Sequence, residues 1–161
     1  MNLGVILLVG VGVLAVAAMG TQAKAQAGGW LETLIVKWGR LNRLDPALIY
    51  GVVMTESSGN PTAQNPSDPS SGLMGVMPLI GRAYGGLSGS DLDVLSALLL
   101  PENNLKAGTG FLAHLQKKYS ASLPLVTWVQ SYNLGETKFD AGQRNPPYGA
   151  KVAQFMGQWE V

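Results

Sequence analysis

Few side chains in this sequence can carry chemistry. The 161 residues contain no cysteine and one histidine, His114. Thiol nucleophiles, thiolate metal ligands and disulfides are therefore excluded, as is a multi-histidine metal centre. A Ser-His-Asp triad has only His114 to use, and its neighbours Gln116, Lys117 and Lys118 mark a solvated helix face. What remains is carboxylate chemistry. Among the acids, Glu56 stands apart because Leu48, Ile49, Val52 and Val53 lie on its own helical face, one and two turns back. A carboxyl at the end of so apolar a helix is partly desolvated, and the partial negative charge of the helix C-terminus also opposes its ionisation. Both effects keep it protonated near neutrality, as glycosidic cleavage requires at the leaving oxygen. Position alone accommodates equally well a glutamate exposed at a frayed helix end. Asp68, in the following loop, could place a water, although an aspartate before Pro69 reads more readily as turn chemistry.

The sequence supplies the element that must position Glu56. Asp45-Pro46 offers an N-cap and an N1 proline for a helix running to about Glu56. Its body is apolar nearly all round, as in a buried helix. Ser57 to Ser71 carries Gly59, Pro61, Pro66 and Pro69 among Ser, Asn and Asp, and reads as a loop. The helical period continues on both sides. Trp30 to Arg43 places Leu31, Leu34, Ile35, Trp38 and Leu41 on one face. Short helical pieces are expected from Leu73 and over Asp91 to Leu100. Pro101 opens a helix to about Tyr119, Pro124 another to about Asn133, and the last covers about Tyr148 to Trp159. Trp128 and Trp159 are expected in the core. Strand signals are few, so the fold class is mainly α.

Apolar residues make up 47% and charged residues 13% of the chain, with a net charge of +1. That excludes a disordered polyelectrolyte and leaves no electrostatic footprint for nucleic acid. Much of the apolar excess lies in Met1 to Ala23, which contains no charged residue. Residues 1–27 read as a hydrophobic membrane anchor or signal segment with a short linker, and residues 28–161 as one domain. Ala23-Lys24-Ala25 and Ala25-Gln26-Ala27 look like small-residue cleavage sites. Lys24 following the apolar stretch, with no basic residue before it, fits routine export poorly and a retained helix better.

Five segments appear in a consistent order. They are Asp45-Pro46-Ala47-Leu48-Ile49 through Glu56-Ser57-Ser58-Gly59-Asn60-Pro61; Gly72-Leu73-Met74-Gly75-Val76-Met77-Pro78; Asn104-Leu105-Lys106-Ala107-Gly108; Ser131-Tyr132-Asn133-Leu134-Gly135; and Pro147-Tyr148 with Val152. Together, over about residues 44–157, they resemble the lysozyme-like lytic transglycosylase family, the catalytic domain of soluble lytic transglycosylases. The resemblance implies a lysozyme-like domain, preceded here by the hydrophobic helix, that cuts the β-1,4 bond between N-acetylmuramic acid and N-acetylglucosamine with closure of a 1,6-anhydro ring.

Glu56 matches the family's single acid/base and Ser57 the serine that hydrogen-bonds near it. Gly72, Leu73 and Met74 match the turn and apolar lining of the glycan cleft. Tyr132 matches a tyrosine whose hydroxyl faces the catalytic glutamate, and Asn133 its neighbour in the cleft. Asn104, Ala107 and Gly108 match a segment where small residues let helices pack closely. Gly75 departs from the pattern, since the family usually has a glutamine there that reaches the sugar. Restoring it with Gly75→Gln is expected to preserve or improve glycan binding.

The implied partner is the glycan strand of peptidoglycan, with the membrane through the N-terminal helix and other virion or envelope-machine proteins beside it. No cofactor, metal or nucleic acid is expected. The setting would be a phage virion or the bacterial periplasm, for local wall penetration. Two alternatives stand beside this one: a water-using, lysozyme-like hydrolase with Asp68, and a membrane-anchored structural protein that binds glycan without cutting it.

Overall fold

The computed structural model describes residues 29–160, so the hydrophobic segment at 1–27 lies outside the described residues. The chain divides into two units at Thr33 and Leu34. In the first, residues 29–33 open helix α1, which covers 29–42. There the Thr33 hydroxyl donates to the Gly29 carbonyl over 2.6 Å. The second unit carries α2 (Pro46–Ser57), α3 (Pro78–Gly85), α4 (Asp91–Leu98), α5 (Pro101–Tyr119), α6 (Leu125–Trp128), α7 (Gln130–Leu134), α8 (Glu136–Asp140) and α9 (Pro146–Met156). Pairing outside the helices, among the described residues, amounts to two isolated antiparallel bridges, Gln64 with Ser71 and Ser71 with Val76. The domain is mainly α, as its periodicity requires. No helix among the described residues is long and apolar enough to cross a membrane.

Helix α2 forms as its sequence dictates. Asp45 caps it, its side chain accepting from the Ala47 N–H over 2.9 Å, and Pro46 occupies the first turn. Leu48, Ile49, Val52 and Val53 are all buried. The helix packs on α9, and Gly51 permits the close approach: a Cβ there would stand 2.7 Å from the Val152 carbonyl oxygen. Helix α3 packs in the same way on α5.

Several expectations need correction. The helical piece expected from Leu73 is a turn over 72–75, because Gly72 and Gly75 both take positive φ; the helix begins at Pro78. The single helix expected from Pro124 to Asn133 breaks at Val129. The Ser131 hydroxyl takes the Trp128 carbonyl (2.6 Å), and the Tyr132 N–H tightens onto Val129 instead (3.0 Å). A short helix, α8, forms where no periodicity announces one. It is held by burial of Phe139, by Lys118 bonded to Glu136 and Asp140, and by the Tyr119 hydroxyl donating to Asp140 over 2.7 Å. The last helix starts earlier than expected, at Pro146, and ends earlier, at Met156. Trp128 is buried, whereas Trp159 is half-buried and packs at a tilt against Tyr50, ring centroids 5.2 Å apart.

Asn104 fastens the loops to this frame. Wholly buried in α5, it donates to the Ser71 and Leu98 carbonyls (2.8 Å each) and accepts from the Met74 N–H (2.8 Å). Asn104→Ala leaves the buried Met74 N–H and Leu98 carbonyl without partners, while the Ser71 carbonyl keeps the Val76 N–H. We expect a loss of about 3 kcal/mol or more, measured by denaturant unfolding.

Candidate active site

Glu56 sits in the last turn of α2 with its side chain half-buried. Its Oε1 accepts a 2.7 Å hydrogen bond from the Tyr148 hydroxyl, delivered from the first turn of α9. Burial pushes the carboxyl from its ordinary 4.5 up to about 7; the Tyr148 bond pulls down, Asp68's charge pushes up and Lys151's pulls down. A hydroxyl donating to Oε1 leaves that oxygen as the carbonyl of the acid form and puts the proton on Oε2. Oε2 lies beside Gly75, where a Cβ would stand 2.8 Å from it. There it joins the wall of a recess of about 260 Å3, whose other side is built by Gln64, Asn65, Ser70 and Ser71. The arrangement is a carboxyl that holds its proton up to about pH 7 at the edge of a polar recess, with one oxygen held by Tyr148 and the other beside Gly75.

The candidate residues around it take up distinct places. Ser57 does not bond the carboxyl: its hydroxyl donates to the Leu73 carbonyl at 2.8 Å, with the Val53 carbonyl at 3.1 Å, and so ties the end of α2 to the 72–75 turn. The Met74 side chain, expected in the lining, is 0% exposed and packs where a Cβ on Gly108 would stand, 2.6 Å from its sulfur. Leu73 is likewise fully buried, so the apolar residues of this turn are core rather than cleft. Tyr132 gives its hydroxyl to the Met74 carbonyl (3.0 Å) rather than to Glu56. It still feels Glu56: burial first, and then that carboxylate, raise the Tyr132 phenol well above its usual range. Asn133 is exposed and accepts from the Asn145 side chain (2.9 Å), linking α7 to the cap of α9. Asp68 is exposed in its loop and accepts from the Asn65 amide (2.7 Å). His114, half in solvent, lies 3.1 Å from Glu136 and takes no part in this group.

Comparison with known proteins decides the lineage of this arrangement. The family model of the Transglycosylase SLT domain matches residues 33–153. The chain belongs to that family. A protein named transglycosylase from Enterobacteria phage PRD1 is 30% identical over 123 residues, covering 76% of this chain and 41% of the phage protein. A membrane-bound lytic murein transglycosylase C from Mannheimia succiniciproducens is 34% identical over 110 residues, covering 64% of this chain and 30% of the relative. One of the same name from Yersinia pestis is 35% identical over 98 residues, covering 57% and 27%. The chain thus spans less than half the length of each of these relatives.

Within this SLT domain, sequence reasoning left two features unassigned. Tyr148 has no role legible in the sequence, because nothing along the chain reveals that the start of α9 faces the end of α2. Gln64, Asn65, Ser70 and Ser71 carry no signal beyond loop composition. The structure also reverses the expectation for Gly75. Its φ of +56° is strained for any side chain, and the space a Cβ would need is taken by Oε2 of Glu56.

The Tyr148 bond stabilises the ionised form of Glu56, so its removal raises that carboxyl further. If Glu56 works as an acid, activity falls as pH rises through its pKa. Tyr148→Phe is therefore expected to move this alkaline limb upward and to lower the maximal rate about tenfold through lost positioning. A pH–rate profile of both proteins checks the shift.

Proposed function

We propose that this SLT domain is a peptidoglycan lytic transglycosylase in which Glu56 is the acid and then the base. The observation that carries the reading is a carboxyl raised to about 7, pinned by Tyr148 through one oxygen and open to a polar recess through the other. In this reading the Oε2 proton passes to the glycosidic oxygen as the C1–O bond of N-acetylmuramic acid breaks. The acetamido carbonyl of the same sugar shields the cationic C1, so a second protein carboxylate is not needed. Glu56, now a carboxylate, takes the proton of the C6 hydroxyl while that oxygen bonds to C1. The 1,6-anhydro ring closes, the proton is back on Glu56, and no water is consumed. Ser57 and Tyr132 act as positioning residues, through Leu73 and Met74 respectively. Met74 serves by its backbone, Gly75 by the space it leaves, and Asn133 by joining α7 to α9.

The setting belongs to the same proposal. The phage relative is named a transglycosylase and the bacterial relatives membrane-bound. With residues 1–27 as anchor, this domain would open the wall locally, in a phage entering its host or in an envelope-spanning machine, beside the other proteins of that assembly.

A water-using reaction is the second reading, favoured by one observation: Asp68 is near enough for its charge to raise the Glu56 carboxyl. One of its two carboxylate oxygens is nevertheless engaged by Asn65 within the loop. Digestion of purified sacculi, followed by analysis of the new glycan ends, separates the readings. We expect anhydro ends, and an Asp68→Asn rate within about twofold of the parent. Reducing ends, with a collapse of the Asp68→Asn rate, would mean hydrolysis; intact sacculi would mean a glycan-binding protein.

A further inference from the structure

The recess beside Glu56 has one side-chain amide that the protein does not use. Two amide-bearing residues, Gln64 and Asn65, are among those that line it. Asn65 is committed on both ends: its Oδ1 accepts from the Ser67 N–H (2.9 Å) and its Nδ2 donates to Asp68 (2.7 Å). The Gln64 amide makes no hydrogen bond among the described residues, although the main chain around it is held tightly. Gln64 bridges Ser71, and Ser71 in turn bridges Val76. On either side of it, the Gly72 N–H bonds to the Ala63 carbonyl (2.8 Å) and the Asn65 N–H to the Ser70 carbonyl (3.2 Å). Position 64 is thereby fixed two ladder spacings, roughly 10 Å, from Val76. A fixed main chain carrying a free amide suits a ligand group, because little ordering entropy is lost when the amide is engaged.

Among the other lining residues, Gly72 and Gly75 offer no competing side chain. At Gly75, Glu56 presents Oε2. The recess, at about 260 Å3, falls below the ~300–1,000 Å3 of sites for drug-sized ligands. It therefore suits one sugar substituent or ring rather than a length of strand. Resting on the glycan reading above, we infer that Gln64 is a specificity-determining residue that recognises the acetamido group of the sugar seated next to Glu56. A glutamine amide presents one acceptor and two donors, and an acetamido group presents one donor and one acceptor, so the two pair reciprocally. The 75 side of the recess supplies space, and the 64 side supplies the hydrogen bonds.

The test is a binding measurement in the Glu56→Gln background, which keeps the recess and removes turnover. The probes are a tetrasaccharide of alternating N-acetylglucosamine and N-acetylmuramic acid, and the same tetrasaccharide with its N-acetyl groups removed. Adding Gln64→Ala is expected to weaken binding of the acetylated glycan about fivefold to twentyfold, the loss of one or two neutral hydrogen bonds, and to change the deacetylated one less than twofold. An unchanged melting temperature is the folding control, since the Gln64 side chain is exposed and has no internal partner. Unchanged affinity for the acetylated glycan overturns the inference, as does an equal loss for both glycans or no binding of either by the Glu56→Gln parent. Wall cleavage by the Glu56→Gln protein would instead overturn the proposed function, which is read in a separate assay.

Discussion

Glu56→Gln is expected to lower wall cleavage about a thousandfold while making the protein more stable at alkaline pH. The first effect follows from general acid and base catalysis, worth about 10² to 10⁴ in rate, with both proton transfers assigned to one group. Glutamine keeps the shape and still accepts from Tyr148, so the site is retained without its proton. The second effect follows from linkage. The folded carboxyl titrates at about 7 against an ordinary 4.5, so between those values the folded state holds a proton that the unfolded state has released. Stability from this group is therefore full below about pH 4.5, falls as pH rises through the window, and is lost above about pH 7. At about 1.36 kcal/mol per unit, the loss at pH 8 amounts to about 3 kcal/mol, which Glu56→Gln does not suffer. Denaturant unfolding at pH 4.5 and pH 8 measures it: the variant should gain on the parent only at the higher pH. An equal difference at both values would mean that the carboxyl is not desolvated in the folded protein, and turnover near the parental rate would mean that another group supplies the proton.

Gly75→Gln is expected to lower cleavage about a hundredfold, with little change in the fold. The residue would have to hold φ near +56°, at a cost of about 1 kcal/mol or more for a residue with a Cβ. Its Cβ would also come within 2.8 Å of Oε2 of Glu56. The far end of the glutamate can move aside, but moving takes Oε2 out of the recess and loosens Oε1 from Tyr148. A misplacement of about 1 Å is worth about 10²-fold in rate. The loss should appear in kcat, and Gly75→Ala should reproduce most of it, because the Cβ is the cause. A Gly75→Gln protein as active as the parent would mean that the carboxylate has a second productive position.

Much of this protein was legible from sequence because the responsible forces are local. Asp45 caps α2 and Pro46 opens it, through preferences that act within one helical turn. The apolar body of α2 announced its burial, and a carboxyl at its end had to be partly desolvated wherever the remaining helices lay. Pro101 to Tyr119 formed as one helix with the limits read from the chain. Ordered motifs then named the family.

Tertiary structure alone decided what surrounds the acid. Tyr148 rather than Tyr132 holds Glu56, because the packing of α2 on α9 brings together residues far apart in sequence, while the Met74 carbonyl claims the Tyr132 hydroxyl. The break at Val129 depends on a side-chain hydroxyl capturing a carbonyl, and α8 on an ion-paired network from α5. Leu73 and Met74 became core instead of cleft because Asn104 draws their turn onto α5. Gly75 showed along the chain only as a missing side chain. Its positive φ and its contact with Oε2 exist only once the 72–75 turn lies against the end of α2, since a backbone sign and a distance between two loops are set by packing and not by composition.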